Sequence, residues 1–288
     1  MWPAFGSCMD EPPWWPSGIV TEDSQDISSG RVQTVFGTLE TWSYQECLNP
    51  NWWQKPPKEG LIWGQWPGVS EIEILHQDRK GYLLRINEDQ IARIVPFDLG
   101  NDLSRLMHYS PWNDALKGLM ITLPSMVYHV ENNDRIIVYN CSDVAINTED
   151  FDSDKLAANL GTIHSALHDF ATPNTERRWN DRLKDIESEL KVTTLWRAPH
   201  SKYTVGLPRL NLDLALLCKE QDELLLIADV RSPVEHLMCH ADRLPGLANL
   251  MLIEQQISFA KGMDEDDRKS MLEAYLGKAP RSYSHKKA

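Results

Sequence analysis

Apolar and polar residues alternate in three short runs, "VSEIEIL" (69–75), "GYLLRIN" (81–87) and "QIARIVPF" (90–97). Alternation of this kind, broken by short turns, predicts three antiparallel strands in a meander. "DLGNDLSRLMHYSPW" (98–112) reads as a helix closed by Pro111. "ITLPSMVYHV" (121–130), the turn "ENND" and "RIIVYN" (135–140) predict two more strands. Residues 69–140 thus predict a small sheet with one helix inserted after its third strand. Beyond 150 the period changes. Leu156, Leu160, Ile163 and Leu167 recur at helical spacing, with Asp152 or Ser153 as the cap. Residues 175–196, 246–260 and 264–277 predict three further helices, the last with an acidic first turn and Gly277 at its end. Between them lies "GLPRLNLDLALLCKEQDELLLIADVRSP" (206–233). One apolar run ends at Cys218, the charged turn "KEQDE" follows, and a second run, "LLLIA", leads to Asp229.

Residues 1–67 break the pattern. They hold eight of the 11 tryptophans, in "PPWWP" and "NPNWWQKPP" among other places. Proline is excluded from helix interiors and sheet centres, so mostly irregular chain is expected. "RVQTVFGTLETWSY" (31–44) predicts a hairpin turning at Gly37. Two readings of the tryptophans remain open: an aromatic binding face, or large rings that pin an extended arm to the body.

The net charge of −13 repels phosphate backbones and anionic membranes, which argues against nucleic acid and lipid as partners. No apolar run approaches the roughly 18–20 residues that span a bilayer, and no signal peptide opens the sequence. The five cysteines are scattered and form no C-x-x-C pair, which fits unpaired thiols in a reducing cytoplasm.

The order sheet, helix, sheet, connection, long helix, hairpin, helices resembles the two-lobed kinase fold, in particular the aminoglycoside phosphotransferase and choline kinase-like family. The resemblance covers about 69–277 and rests on order and spacing. It implies an α+β chain: a Trp/Pro-rich extension (1–67), a small antiparallel-sheet lobe (68–145), a mainly helical lobe (146–280) and a tail (281–288). It further implies a phosphate-covering loop at "DRKG" (78–81), which includes Gly81. A phosphate-gripping lysine should follow on the third strand. That position carries arginine, either Arg93 or Arg85 according to how the strands are counted, and arginine's planar fork differs from an ammonium point charge. Asp102 is the acid nearest the position of the lysine's partner. His164 and His168 face one way on their helix, but "HSALH" lacks the glutamate of a zinc motif, so a histidine satisfied in the core is the preferred reading.

The family's catalytic loop reads H-G-D-x-x-x-x-N, with a metal-binding aspartate about twenty residues beyond the first aspartate. Asp229 fits the metal aspartate. Counting back without gaps puts the base at Leu210. Laying "NLDL" (211–214) on the motif puts it at Asp213, with a shortened loop. Both registers place alanine, Ala215, where the metal-binding asparagine belongs. "HADRLPGLAN" (240–249) has the wrong internal spacing and too little chain after it. Removing one charge-stabilising donor costs about 2.7–4 kcal/mol of barrier, so several losses predict a pseudokinase that binds a small molecule or nucleotide, with ATP and Mg²⁺ as the implied cofactors. Two alternatives are an active phosphotransferase that uses Asp213 and Asp229, and an interaction protein whose Trp-rich arm meets a protein partner or a second copy.

Overall fold

A computed structural model describes residues 31–34, 37–40, 44–78, 81–96, 98, 100–108, 110–141, 144–145, 152–170, 209–211, 217–220, 223–229 and 262–281, with isolated positions at 181, 184, 188, 250, 253–254 and 257–258. The chain is α+β. Its centre is a six-stranded antiparallel sheet in the order β3-β8-β9-β6-β5-β4. The strands are β3 (Leu61–Gly64), β4 (Glu73–Asp78), β5 (Gly81–Asn87), β6 (Gln90–Ile94), β8 (Pro124–Val130) and β9 (Asn133–Asn140). A separate hairpin, β1 (Arg31–Thr34) with β2 (Gly37–Glu40), turns immediately before Gly37.

The meander forms as the alternation dictates. Leu84, Ile86, Ala92, Ile94, Met126, Tyr128, Ile136 and Val138 are buried in one core with Tyr44, Cys47, Trp53 and Val69. The segment before β4 therefore covers this face of the sheet. Trp53 is fully buried and stacks on Trp66, with ring centroids 5.3 Å apart. The indole Nε1 of Trp53 donates to the Cys47 carbonyl at 2.8 Å, and that of Trp66 to the Trp53 carbonyl at 2.9 Å. Buried indoles with satisfied N–H groups act as packing here. The same segment is less irregular than its prolines predict. It contributes two 3₁₀ turns (Gln45–Leu48 and Pro50–Gln54) and the edge strand β3. Four residues are too few to show an alternation.

Helices α1 (Asp102–His108) and α2 (Ser110–Leu116) stand where one helix was expected. Pro111 does not close a helix; it sits in the first turn of α2, where its missing N–H costs nothing. The run 121–130 also divides. The short strand β7 (Ile121–Thr122) leaves the six-stranded sheet and pairs in parallel with β13 (Glu223–Asp229). Pro124 then opens β8, a position that needs no ladder donor.

The second sheet has the order β10-β12-β13-β11, where β10 is Val144–Ala145, β11 is Arg209–Asn211 and β12 is Leu217–Glu220. Strands β12 and β13 form the hairpin expected at the charged turn, with Glu220 opposite Glu223. Helix α3 (Ser153–Ala166) is capped by the Asp152 carboxylate, which accepts from the Asp154 and Lys155 amides. It packs against α4 (Glu265–Leu276), whose N-terminus carries a reciprocal capping box between Asp264 and Asp267. The helix 175–196 and the helix 246–260 lie largely outside the described residues, as do Trp14, Trp15 and the segment 240–249. One sulfur departs from the expectation of unpaired thiols: Cys141, at the end of β9, is disulfide-bonded, while Cys47 is a free buried thiol. Among the described residues no helix is long and apolar enough to cross a membrane.

Candidate functional site

Strand alternation decides where the two candidate arginines point. Ala92 and Ile94 enter the core with Trp53, so Arg93 between them faces the other side of the sheet. Its ladder neighbours there are Leu83 and Ile137. Arg93 is fully buried. Burial of a guanidinium is costly unless it is paired. Its Nε and Nη1 donors meet no acceptor among the described residues, although the group makes another interaction. Arg85 differs. It makes a cross-strand ion pair with Glu73 at 3.2 Å, and the two side chains are 41% and 61% exposed. Such a surface pair contributes at most about 1 kcal/mol.

Gly81 opens β5 with φ of +129°. A Cβ there would meet the Ile94 carbonyl oxygen at 1.9 Å, so the residue is fixed by the close approach of β6. Asp78 and Gly81 are ladder partners, which leaves only residues 79–80 as the turn between β4 and β5. The expected phosphate-covering loop is thus a two-residue connection, and those two residues lie outside the described set.

Helix α1 lies on the Arg93 side. Its Leu103 and Leu106 are buried, and its Ser104 belongs to a polar cluster that the sequence reading missed. The Leu103 and Ser104 amides donate to Asp134 Oδ2 at 2.8 and 3.2 Å, the Ser104 hydroxyl donates to Asp134 Oδ1, and His129 Nδ1 lies 3.3 Å from Oδ1. By simple alternation Asp134 would share the core face with Ile136. The ladder register shifts between Tyr128 and His129, and this bulge turns Asp134 toward α1. Arg135, the extra residue, pairs with Asp98 in the β6–α1 connection. The sequence signal was present in "ENNDR" but read as a turn alone. Asp102 is the first residue of α1; its side chain lies outside the described set.

In the second sheet, Asp229 is the last residue of β13, opposite Arg209 of β11. Leu210 pairs with Ala228 inside the ladder, so the gap-free register would set the catalytic base within a strand. Asp213 and Ala215 fall in the β11–β12 connection (212–216), outside the described residues, as does the side chain of Asp229. Thr122 stands beside Ile227 across the parallel ladder, and its buried hydroxyl has no hydrogen-bond partner among the described residues.

His164 is buried and hydrogen-bonded through Nδ1 to the Tyr275 hydroxyl at 2.7 Å. Burial pushes its pKa down to about 3, so the ring is neutral and structural. His168 follows α3 in a 3₁₀ turn. No group of three or more His, Cys, Asp or Glu able to hold a metal occurs among the described residues.

No family model and no curated protein matches the sequence. Solved structures that it resembles include a glucosamine kinase in complex with glucosamine, ADP and inorganic phosphate, at 10% identity and a TM-score of 0.44 over 88% of this chain and 80% of that one. Another is the GDP and kanamycin complex of APH(2")-IIia, at 13% identity and a TM-score of 0.40 over 72% of this chain and 83% of that one.

Proposed function

We propose that this chain is a degenerate small-molecule-kinase-like protein that binds a nucleotide or another phosphorylated small molecule and transfers phosphate poorly or not at all. The observation that carries the reading is Arg93. It is a fully buried cation on β6, the third strand of the meander, on the face of the sheet opposite the Trp53 core. A phosphate-bearing ligand is the chemistry such a group answers, through up to five donors in a planar fork. Arg85 is committed to Glu73 at the surface and is the weaker choice.

The residues fit a metal less well. Asp229 at the end of β13 would supply one carboxylate, while Ala215 offers no side-chain oxygen where the companion asparagine belongs. A Mg²⁺ ion carried in by ATP would neutralise phosphate charge, and Asp229 is the residue that would hold it. Gly81 would bring the β4–β5 turn near the ligand, but two residues form little cover.

A second reading, an active phosphotransferase, draws on one observation. The "NLDL" register leaves Asp213 just beyond the end of β11, in the connection where a base is needed, and spares Leu210 its place in the ladder.

Thermal-shift titration with ATP and ADP, with and without Mg²⁺, tests the reading. Ligand at about 100 times its Kd adds about 2.7 kcal/mol of apparent stability. Arg93→Lys, which keeps the charge, is expected to retain a shift, and Arg93→Met to lose it. The absence of any shift at millimolar nucleotide in the unmodified protein rejects nucleotide binding. ATP-dependent phosphorylation of a hydroxylated metabolite that disappears in Asp213→Asn favours the second reading.

A further inference from the structure

We propose that the segment preceding β4 is an intramolecular clamp on α1, and that Trp63 is the positioning residue through which it acts. Helix α1 has seven residues, too few to be stable alone, so its position is set by what holds it. Its first turn is held by the sheet itself, through Asp134 on β9. Its last turn is held by a different part of the chain. Val127 and Trp63 are ladder partners, and Trp63 emerges on the Arg93 side of the sheet because its neighbour Ile62 packs into the opposite core. There its ring lies 4.5 Å from that of His108, the last residue of α1, tilted by 38°.

The clamp is anchored independently of α1. Among the described residues, strand β3 is an edge strand joined to the sheet only through β8. The residues on either side of it, Trp53 and Trp66, are seated on the far face with Tyr128. The aromatic segment thus grips one face of the sheet and reaches round its edge to touch the helix on the other. Loss of the Trp63 contact removes one support of the last turn of α1, beside the buried Leu106, while Asp134 still pins the first, so the loosened turn moves about Asp134. If the reading of Arg93 as a ligand-binding group is right, on which this consequence alone rests, the pivot uncovers or covers the ligand's side of the sheet.

The test is hydrogen exchange in the full-length protein, comparing amides 103–108 with those of β8 and β9. Trp63→Ala and His108→Ala should each speed exchange in 103–108 by about three- to tenfold, the range expected for one ring pair. The double variant should add nothing further, since one contact is removed in all three. Strands β8 and β9 should keep their protection. His108 is exposed, so its variant remains folded even where Trp63→Ala does not. Unchanged exchange in 103–108 for His108→Ala, or acceleration spread equally over β8 and β9, overturns the clamp. ATP titration separates the two claims. Altered exchange together with weaker ATP binding in His108→Ala supports both. Altered exchange in a protein that never binds ATP leaves the clamp standing and rejects ATP as the ligand. Altered exchange with unchanged ATP affinity rejects the positioning role.

Discussion

His164 of α3 and Tyr275 of α4 are joined by a 2.7 Å hydrogen bond between Nδ1 and the phenolic oxygen, across 111 residues of sequence. Both side chains are buried, and the rings meet edge to face at 5.6 Å. The bond closes the helical part of the molecule on itself.

Acid should loosen this pair. The folded pKa of His164 is pushed by burial to about 3, below the unfolded value of 6.5. The unfolded chain therefore takes up the proton first. The contribution of the neutral buried ring is fully present above about pH 6.5 and declines as pH falls toward 3. Between pH 7 and pH 5 the loss is about 2 kcal/mol. Urea unfolding at the two pH values measures it, and His164→Gln should remove most of the difference. An undiminished difference in the variant would assign the acid sensitivity to other groups.

Tyr275→Phe leaves His164 Nδ1 buried without its partner. The expected cost is about 1–3 kcal/mol, seen as a lower urea midpoint at pH 7.5 with an unchanged slope. A change below 0.5 kcal/mol would mean that water replaces the hydroxyl, on the order of what a satisfied group loses.

Gly81→Ala is expected to be severe. The methyl would fall 1.9 Å from the Ile94 carbonyl oxygen, against backbone that cannot swing away, and the φ of +129° is unfavourable for any L side chain. We expect a loss of more than about 3 kcal/mol, or no folded protein. Gly100→Ala serves as the control. It shares a positive φ but meets nothing within 4 Å, so it should cost about 1 kcal/mol.

The β8–β9 turn offers a gain. Glu131 and Asn132 have φ of 51° and 63°, the signature of a type I′ turn, for which asparagine followed by glycine is the preferred pair. Glu131→Asn with Asn132→Gly should raise stability by about 0.5–1 kcal/mol, measured as a higher melting temperature. A lower melting temperature would show that Glu131 has a role beyond the turn.

The parts of this fold that were legible in the sequence are those in which one side of an element is buried and the other is not. The meander 73–94 and the capped helices at 153 and 265 announce themselves through period and cap. The β12–β13 hairpin does so through a charged turn between apolar runs. What remained hidden depends on tertiary partners. Residues 61–64 become a strand only because β8 is beside them. Residues 121–122 leave their run because β13 accepts them. Arg93 and Arg85 hold equivalent alternating positions on neighbouring strands and face the same side of the sheet, and only the surroundings distinguish a buried guanidinium from a surface ion pair. Asp134 escaped notice because a bulge reverses its direction, and spacing alone carries no record of a bulge.

The division of 121–130 between two sheets has a mechanical consequence. Thr122 is fixed to Ile227, and Pro124, two residues on, is fixed to Tyr139 of the other sheet. The second crossing, between Asn140 of β9 and Val144 of β10, starts one residue from that same Tyr139. These two covalent passages between the sheets therefore begin side by side, like two knuckles of a door, while a third, from β6 to β7, runs through α1 and α2. Relative movement of the sheets about that line has to bend the backbone at Leu123 and to carry α1 and α2 with it.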